Sequence, residues 1–198
     1  FNFVTLTTLS ISDMEVDSGI DSRTTNLNIT KKEHYRTLST VSMLLERQCE
    51  GKTEVLLQLR KNTGWMDGFW DFGACGHVND GETLTDAAIR ETKEELCVDV
   101  LPEDIEFLSL NHNNLGNKGI YYCFYIKVKK YRGEIKIGEP EKCAELKWFD
   151  IENLPKNIIP IRKYSLEDYK KGIIYNEIGW DKMEALSNYN IPSPKRFG

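Results

Sequence analysis

The stretch Gly76-His77-Val78-Asn79-Asp80-Gly81-Glu82-Thr83-Leu84-Thr85-Asp86-Ala87-Ala88-Ile89-Arg90-Glu91-Thr92-Lys93-Glu94-Glu95-Leu96-Cys97-Val98 decides how this chain is read. It opens in a turn rich in Gly, Asn and Asp and runs into the clearest helix of the sequence, expected at about 83–97. Thr83 followed three residues later by Asp86 has the form of a capping box, with Asp in place of the usual Glu. Asp86–Arg90 and Arg90–Glu94 are favourable pairs at i,i+4. On a helix advancing about 100° per residue, Glu91, Glu94 and Glu95 fall on one face. Like charges so spaced repel weakly in water and more strongly when partly buried. Two readings follow. The face is either solvated and stitched together by Arg90 and Lys93, or it is built for a cation. Charge runs on helices are usually solvated faces, so the helix alone favours the first reading. For the second, oxygen ligands without His or Cys suit Mg²⁺ or Mn²⁺, and Gly76 offers a backbone carbonyl.

Working outward, Leu38–Arg47 and Glu54–Arg60 read as strands of a hairpin across a Glu50-Gly51-Lys52 turn. Lys61–Gly76 reads as a loop with Gly64, Gly68, Gly73 and Gly76 and the aromatics Trp65, Phe69, Trp70 and Phe72, with short strand character at Trp70–Phe72. Beyond Pro102, strand character appears at Ile105–Asn111, Ile120–Lys129, Glu134–Ile137 and Glu145–Phe149. Glu152–Leu154 reads as a short helical turn and Ser165–Ile174 as a C-terminal helix. Strands, one strong helix, more strands and a helix imply an α+β domain with helices packed on a mixed sheet. Residues 1–34 are expected to form a flexible extension, 35–188 the folded domain and 189–198 a Pro-bearing tail.

Composition narrows the function. The net charge of -5 over 198 residues argues against a surface built for nucleic-acid backbones. It leaves polyphosphate substrates open, because a bound cation inverts the local field. The cysteines at 49, 75, 97, 123 and 143 are odd in number and contain no CxxC pair, which fits reduced thiols in a cytoplasm. No apolar run approaches the roughly 18 residues that span a bilayer, and Phe1–Ser12 lacks the basic flank of a signal peptide. A cytoplasmic protein without membrane or nucleic-acid duplex partners is the expectation.

The segment Gly76–Val98 resembles the signature of the Nudix hydrolase family, G-x5-E-x7-R-E-U-x-E-E-x-G-U, where U is a bulky aliphatic residue. Gly76, Glu82, Arg90, Glu91, Glu94, Glu95 and Val98 stand at their required positions. Thr92 replaces the first aliphatic residue and keeps a methyl for packing; Cys97 replaces the glycine after the helix, a costly change where φ must be positive. The likeness runs from roughly Thr37 to Pro155 and takes in the strand ending at Arg60, the aromatic-Gly loop, Lys147-Trp148-Phe149-Asp150 and Leu154-Pro155. It implies an α/β/α sandwich with a mixed β-sheet. It also implies Mg²⁺-dependent hydrolysis, with Mn²⁺ the alternative ion, of a phosphoanhydride in a nucleoside diphosphate derivative. A nucleoside triphosphate releasing the monophosphate and pyrophosphate comes first among substrates. ADP-ribose, nucleotide sugars, dinucleoside polyphosphates and RNA 5′ ends stay open. Two other classes are an isomerase of the isopentenyl diphosphate type, for whose Cys and Glu relay no counterpart is evident, and a non-catalytic nucleotide-binding domain. Retention of every box carboxylate weighs against the last.

By this resemblance Glu91, Glu94 and Glu95 ligate the metal together with the Gly76 carbonyl, and Glu94 or Glu95 orients or deprotonates the attacking water. Arg90 holds a box carboxylate in place, with Glu82 as its partner or as an outer ligand. Glu139 joins from a loop after the central strands, with Glu141 its competitor. Arg60, and next Lys61, would ground the remaining phosphates; a structural ion pair is an equal alternative for either. Trp65, Met66 and Phe69 are candidates to line a base pocket. Trp70, Trp148 and Tyr122 read as core, and Cys75 and His77 as structural. A homodimer is an expectation carried by the resemblance alone.

Overall fold

Alternation within one strand organises the molecule, seen here in a computed structural model that describes residues 36–180. The extension at 1–34 and the tail at 189–198 lie outside the described residues. Strand β1 (Leu38–Cys49) buries Val41, Met43 and Leu45 on one face and Ser42 and Leu44 on the other. The chain returns as β2 (Lys52–Arg60) through Glu50 and Gly51, whose φ values of 51° and 77° match the two-residue hairpin turn.

The remaining strands are β3 (Trp70–Phe72), β4 (Ala74–His77), β5 (Ile105–Asn114), β6 (Ile120–Val128), β7 (Cys143–Asp150) and β8 (Tyr175–Ile178). They form a sheet of order β3-β2-β1-β6-β5-β8, with β4 paired to β1 and β7 to β2. The sheet is mixed, as expected: β1 runs parallel to β6 and β5 to β8, and the other pairs are antiparallel.

Helix α1 (Leu84–Leu96) buries Ala87, Ala88 and Leu96 against Val41, Met43, Leu45, Ile126 and Val128. Helix α2 (Pro160–Lys171) sends Leu166 into the opposite cluster with Leu44, Val55, Leu57, Phe72 and Tyr125. The two helices thus cover opposite faces of the sheet, the expected α/β/α sandwich. Each large aliphatic side chain buried in these layers contributes about 1.5–3 kcal/mol.

Several elements differ from the sequence expectation. Glu134–Ile137 is not a strand. Its backbone turns to the end of α1, where the Lys136 and Gly138 amides donate to the Leu96 and Glu95 carbonyls at 3.0 and 2.9 Å. A helix end leaves its last carbonyls without partners, and this segment satisfies two of them. Residues 152–154 make a turn rather than a helix. Helix α2 begins at Pro160, where a missing amide costs nothing, and stops at Gly172 with φ of 68°. Strand β4 was hidden in the Gly-rich loop, and β8 is too short and exposed to show a period. Among the described residues, no helix is long and apolar enough to cross a membrane.

Candidate active site

The capping box predicted at Thr83 is present. The Thr83 hydroxyl accepts from the Asp86 amide at 3.1 Å, and the Asp86 carboxylate accepts from the Thr83 amide at 3.3 Å. That use of Asp86 removes the expected Asp86–Arg90 pair. Arg90 instead grips Glu82 with two bonds, Nε to Oε1 at 2.7 Å and Nη2 to Oε2 at 2.9 Å, and donates to the His77 carbonyl at 3.0 Å. It also reaches Glu91 at 2.6 Å and Glu94 at 3.1 Å, the latter being the expected i,i+4 pair. The bonds from Arg90, with a further one from the Asn79 amide, hold the Glu82 carboxyl down at about 2. The arginine therefore fastens the 77–82 loop to the helix by charge-assisted bonds. Lys93 leaves the face and pairs with Asp99 at 2.7 Å.

Glu95 points inward, where its Oε2 accepts from the Cys75 amide at 2.8 Å and from Gln58 Nε2 at 3.0 Å. Burial, with the charges of Glu91 and Asp71 adding to it, pushes its carboxyl up to about 8 against those bonds. Burial also raises Glu91, and the nearby charges of Glu94 and Glu139 act in the same direction. The Glu91 carboxylate lies in the space a side chain at Gly76 would take, which is a physical reason for glycine there. Glu94 shares the helix face but stays half exposed.

Glu139 approaches this cluster because Gly138 packs flat on the helix end; a Cβ at 138 would overlap the Glu94 carbonyl oxygen. Glu139 pairs with Lys142 at 2.7 Å, whereas Glu141 is exposed. Cys97 caps α1 at φ of 61°, so the position does require the left-handed conformation that glycine takes more cheaply. Thr92 is fully buried and returns its hydroxyl to the Ala88 carbonyl at 2.7 Å.

Among the described residues, no three His, Cys, Asp or Glu side chains already converge as metal ligands. Arg90 holds Glu91 and Glu94, and the Cys75 amide holds Glu95. The donor set nonetheless fits a hard divalent ion. It consists of carboxylate oxygens and a glycine carbonyl, and the like charges at Glu91 and Glu95 are of the kind a cation relieves. Binding would require Glu91 and Glu94 to turn from Arg90.

Alternation along β4 divides the site. Ala74 and Gly76 face α1, while Cys75 packs toward the α2 side. On that second side lies a pocket of about 410 Å³, whose lining includes Arg60, Trp65, Asp71, Gly76, Lys118 and Arg162. Gly76 is the residue shared by pocket and carboxylate cluster. Arg60 donates to Asp71 at 3.0 Å, to the Trp65 carbonyl at 3.1 Å and to Thr63 at 3.1 Å, with its guanidinium over the Trp65 ring. Arg162 reaches the other oxygen of Asp71 at 2.5 Å.

Of the three aromatic-loop candidates, Trp65 alone lines the pocket; Met66 is buried with Ile159 and Ile161, and Phe69 packs against that same cluster. Phe69 immediately precedes β3 and packs there without lining the pocket. His77 is exposed at the rim, and Tyr122 stacks on His112 rather than joining a core cluster. Trp70 is buried as expected, and Trp148 is half-buried against the α1-side cluster. Burial and the charge of Asp71 push the Cys75 thiol well above its ordinary range, which works against a thiolate there. Sequence reasoning missed Asp71, Arg162 and Gln58. A signal existed for Asp71: a carboxylate between Trp70 and Phe72 in an apolar strand implies a buried cationic partner.

The NUDIX domain family matches residues 37–169, well over half of the chain. A Caenorhabditis elegans protein whose name places it among the nudix hydrolases is 28% identical over 121 residues, covering 61% of this chain. The chain spans only 31% of that relative's length. Among solved structures, the MutT NUDIX hydrolase of Burkholderia pseudomallei aligns with a TM-score of 0.58 at 22% identity, covering 67% of this chain and 98% of its own. The NUDIX domain of Shewanella oneidensis NrtR, crystallised with ADP ribose, aligns at 0.58 and 20%, covering 73% and 92%. A MutT/nudix family protein of Enterococcus faecalis aligns at 0.51 and 26%, covering 60% and 45%. These likenesses to solved structures carry the fold, and the family match spans the segment that holds Gly76, Arg90 and the box glutamates. The chain belongs to the NUDIX domain family.

Proposed function

We propose that this domain hydrolyses a phosphoanhydride bond in a nucleoside diphosphate derivative, using a divalent cation, with Mg²⁺ the expected ion. The observation that carries this reading is the packing of Glu91 against Gly76 and of Glu95 on the adjacent Cys75 amide, with Arg90 organising the same face. Members of the family generally use divalent cations. Glu91, Glu94, Glu95 and the Gly76 carbonyl would hold the ion, with Glu139 as a further donor. When bound, it would supply neutralisation of phosphate charge and a lower pKa for water.

The chain's own residues do the rest. Both hydrogen bonds to Glu95 fall on Oε2, so Oε1 is the oxygen that would take a proton from water once a bound cation had kept the carboxyl ionised. Arg90 keeps Glu82 and the 77–82 loop from moving as the helix face changes partners. Arg60 reaches the pocket wall beside the substrate. Nucleoside triphosphates are the first substrates, giving the monophosphate and pyrophosphate, followed by ADP-ribose, nucleotide sugars and RNA 5′ ends.

The second reading is a nucleotide-binding domain without turnover. It is favoured by the ion pairs that Glu91 and Glu94 make with Arg90. The deciding experiment incubates the protein with Mg²⁺ and this substrate panel, resolves products by phosphorus NMR, and includes Glu95→Gln and a chelator as controls. Metal-dependent release of a monophosphate, lost in the variant, is the expected result. Binding without turnover across the panel would transfer the assignment to the second reading.

A further inference from the structure

The pocket on the α2 side of β4 has a charge imbalance that its own residues do not resolve. Asp71 is fully buried and both of its oxygens are engaged, Oδ1 by Arg162 Nε and the Phe72 amide and Oδ2 by Arg60 Nη1. It is the single carboxylate among the described lining residues, and it faces two guanidiniums. Arg162 is 5% exposed, and an arginine cannot shed its proton to relieve the imbalance.

The other hydrogen-bond partners of the two arginines carry no counter-charge at neutral pH; the exposed Asp67 carboxylate, bound to Thr63 outside the lining, acts on Arg60 and leaves Arg162 with Asp71 alone. Arg162 donates to the Tyr125 hydroxyl at 3.0 Å and to the Cys75 sulfur at 3.7 Å. Arg60 donates to the Trp65 carbonyl and the Thr63 hydroxyl. Burial pushes the Tyr125 hydroxyl up to about 12, so it remains neutral. Lys118 adds another cation to the lining. Each guanidinium has five N–H donors and uses three here, so donors remain as well as charge. Buried charge is costly unless paired, and the missing partner is an anion. A neutral ring with carbonyl groups would occupy the donors and leave the charge.

We propose that this pocket is an oxyanion subsite that takes a phosphate or carboxylate group of the substrate lying outside the cleaved anhydride. Gly76 touches both the pocket and Glu91, so a substrate crossing the end of β4 has its diphosphate by the glutamates and its second anionic group by Arg162 and Arg60. The volume of about 410 Å³ accommodates a substituent the size of a sugar acid or sugar phosphate. The inference rests on the hydrolase reading for the word substrate. It reorders the panel: derivatives with an additional anionic group rank above those without one.

The test has two arms. In EDTA, inorganic phosphate and then acetate are titrated into the full chain by calorimetry and thermal melting. Arg162→Met is the comparison, since it removes the excess charge and leaves Asp71 paired with Arg60. Either anion should bind the wild type and raise its Tm, the stronger one naming the source, and the effect should vanish in the variant. With Mg²⁺, UDP-glucuronate is compared with UDP-glucose, and guanosine 5′-diphosphate with and without a 3′-phosphate. The preferred anionic member should lead in kcat/KM by about tenfold or more, the size of a charged hydrogen bond. Absence of binding by both anions, undiminished binding in Arg162→Met, or equal kcat/KM within both pairs would overturn the subsite. Should Arg162→Met fail to fold, the wild-type titrations and ratios decide alone. Arg162-dependent anion binding without turnover of any compound would sink the hydrolase reading and leave the subsite standing.

Discussion

The carboxylate face of α1 and the Asp71 cluster lie on opposite sides of β4 and are built to inverse charge ratios. On the first, Arg90 serves Glu82, Glu91 and Glu94 while Glu95 stands behind them. On the second, Asp71 serves Arg60 and Arg162. The chemistry of the excess charge differs. A surplus carboxylate can be neutralised by a proton, and burial, with the charges of Glu91 and Asp71 adding to it, moves Glu95 up to about 8. A surplus guanidinium has no such recourse, so its environment must supply an anion. The face that can discharge itself is suited to exchanging a cation, and the one that cannot is suited to keeping a ligand.

This contrast can be broken most forcefully at Glu95. Glu95→Gln should lower kcat by about 10²–10⁴-fold, the usual worth of a general base. The metal-free Tm at pH 7 should hold, because the amide resembles the protonated acid already favoured there. Turnover assays paired with thermal melts check both halves, and near-wild-type turnover would remove Glu95 from the chemistry.

Asp71→Asn should do the reverse to stability. It leaves the buried Arg162 and the part-buried Arg60 without the carboxylate they share, and should cost about 3–5 kcal/mol in urea denaturation. A loss near zero would mean that solvent or another group already compensates the arginines.

The pH dependence of the metal-free protein should carry both signatures. Glu95 has a raised folded pKa, so its contribution to stability is full below the ordinary value of 4.5 and is lost as pH rises through about 8. Asp71 behaves oppositely. Burial works to raise its carboxyl, but Arg162 and Arg60 outweigh it and hold it below 3.8, so its contribution is lost as pH falls through that lowered value. Tm in EDTA should therefore decline from pH 5 to pH 8, and Mg²⁺ should remove the decline. A flat profile without metal would contradict the placement of Glu95.

The smallest expected effect sharpens the boundary of the carboxylate face. Cys97→Gly relieves a left-handed cap and should stabilise the fold by about 1 kcal/mol, measured by denaturant titration. A loss of stability would show that the cysteine side chain contributes packing that outweighs its backbone strain.

The box was legible before any coordinates because its spacing is local. Thr83 and Asp86 cap one turn, and Arg90, Glu91, Glu94 and Glu95 share a face by helical period alone. Even there one expected pair is absent: Asp86 is consumed by the cap and does not meet Arg90, which instead reaches back to Glu82, as the resemblance implied, and to the His77 carbonyl across the loop. The reading of 134–137 as a strand failed for a related reason. Its apolar alternation is real, but the unsatisfied carbonyls at the end of α1 compete for its amides and win.

By itself, then, the sequence determined the family, the main strands, the catalytic-type helix and the set of glutamates on its face, all of which follow from residue types at short, regular separations. Only the tertiary structure decided that Arg60 and Arg162 share the buried Asp71, that Phe69 packs on Met66, Ile159 and Ile161, and that Gly138 packs against the end of the helix beside Glu139. Those contacts join β2, β3, α2 and distant loops. No local period records them, because they arise from which faces of separate elements are buried together and which charges must then find partners there.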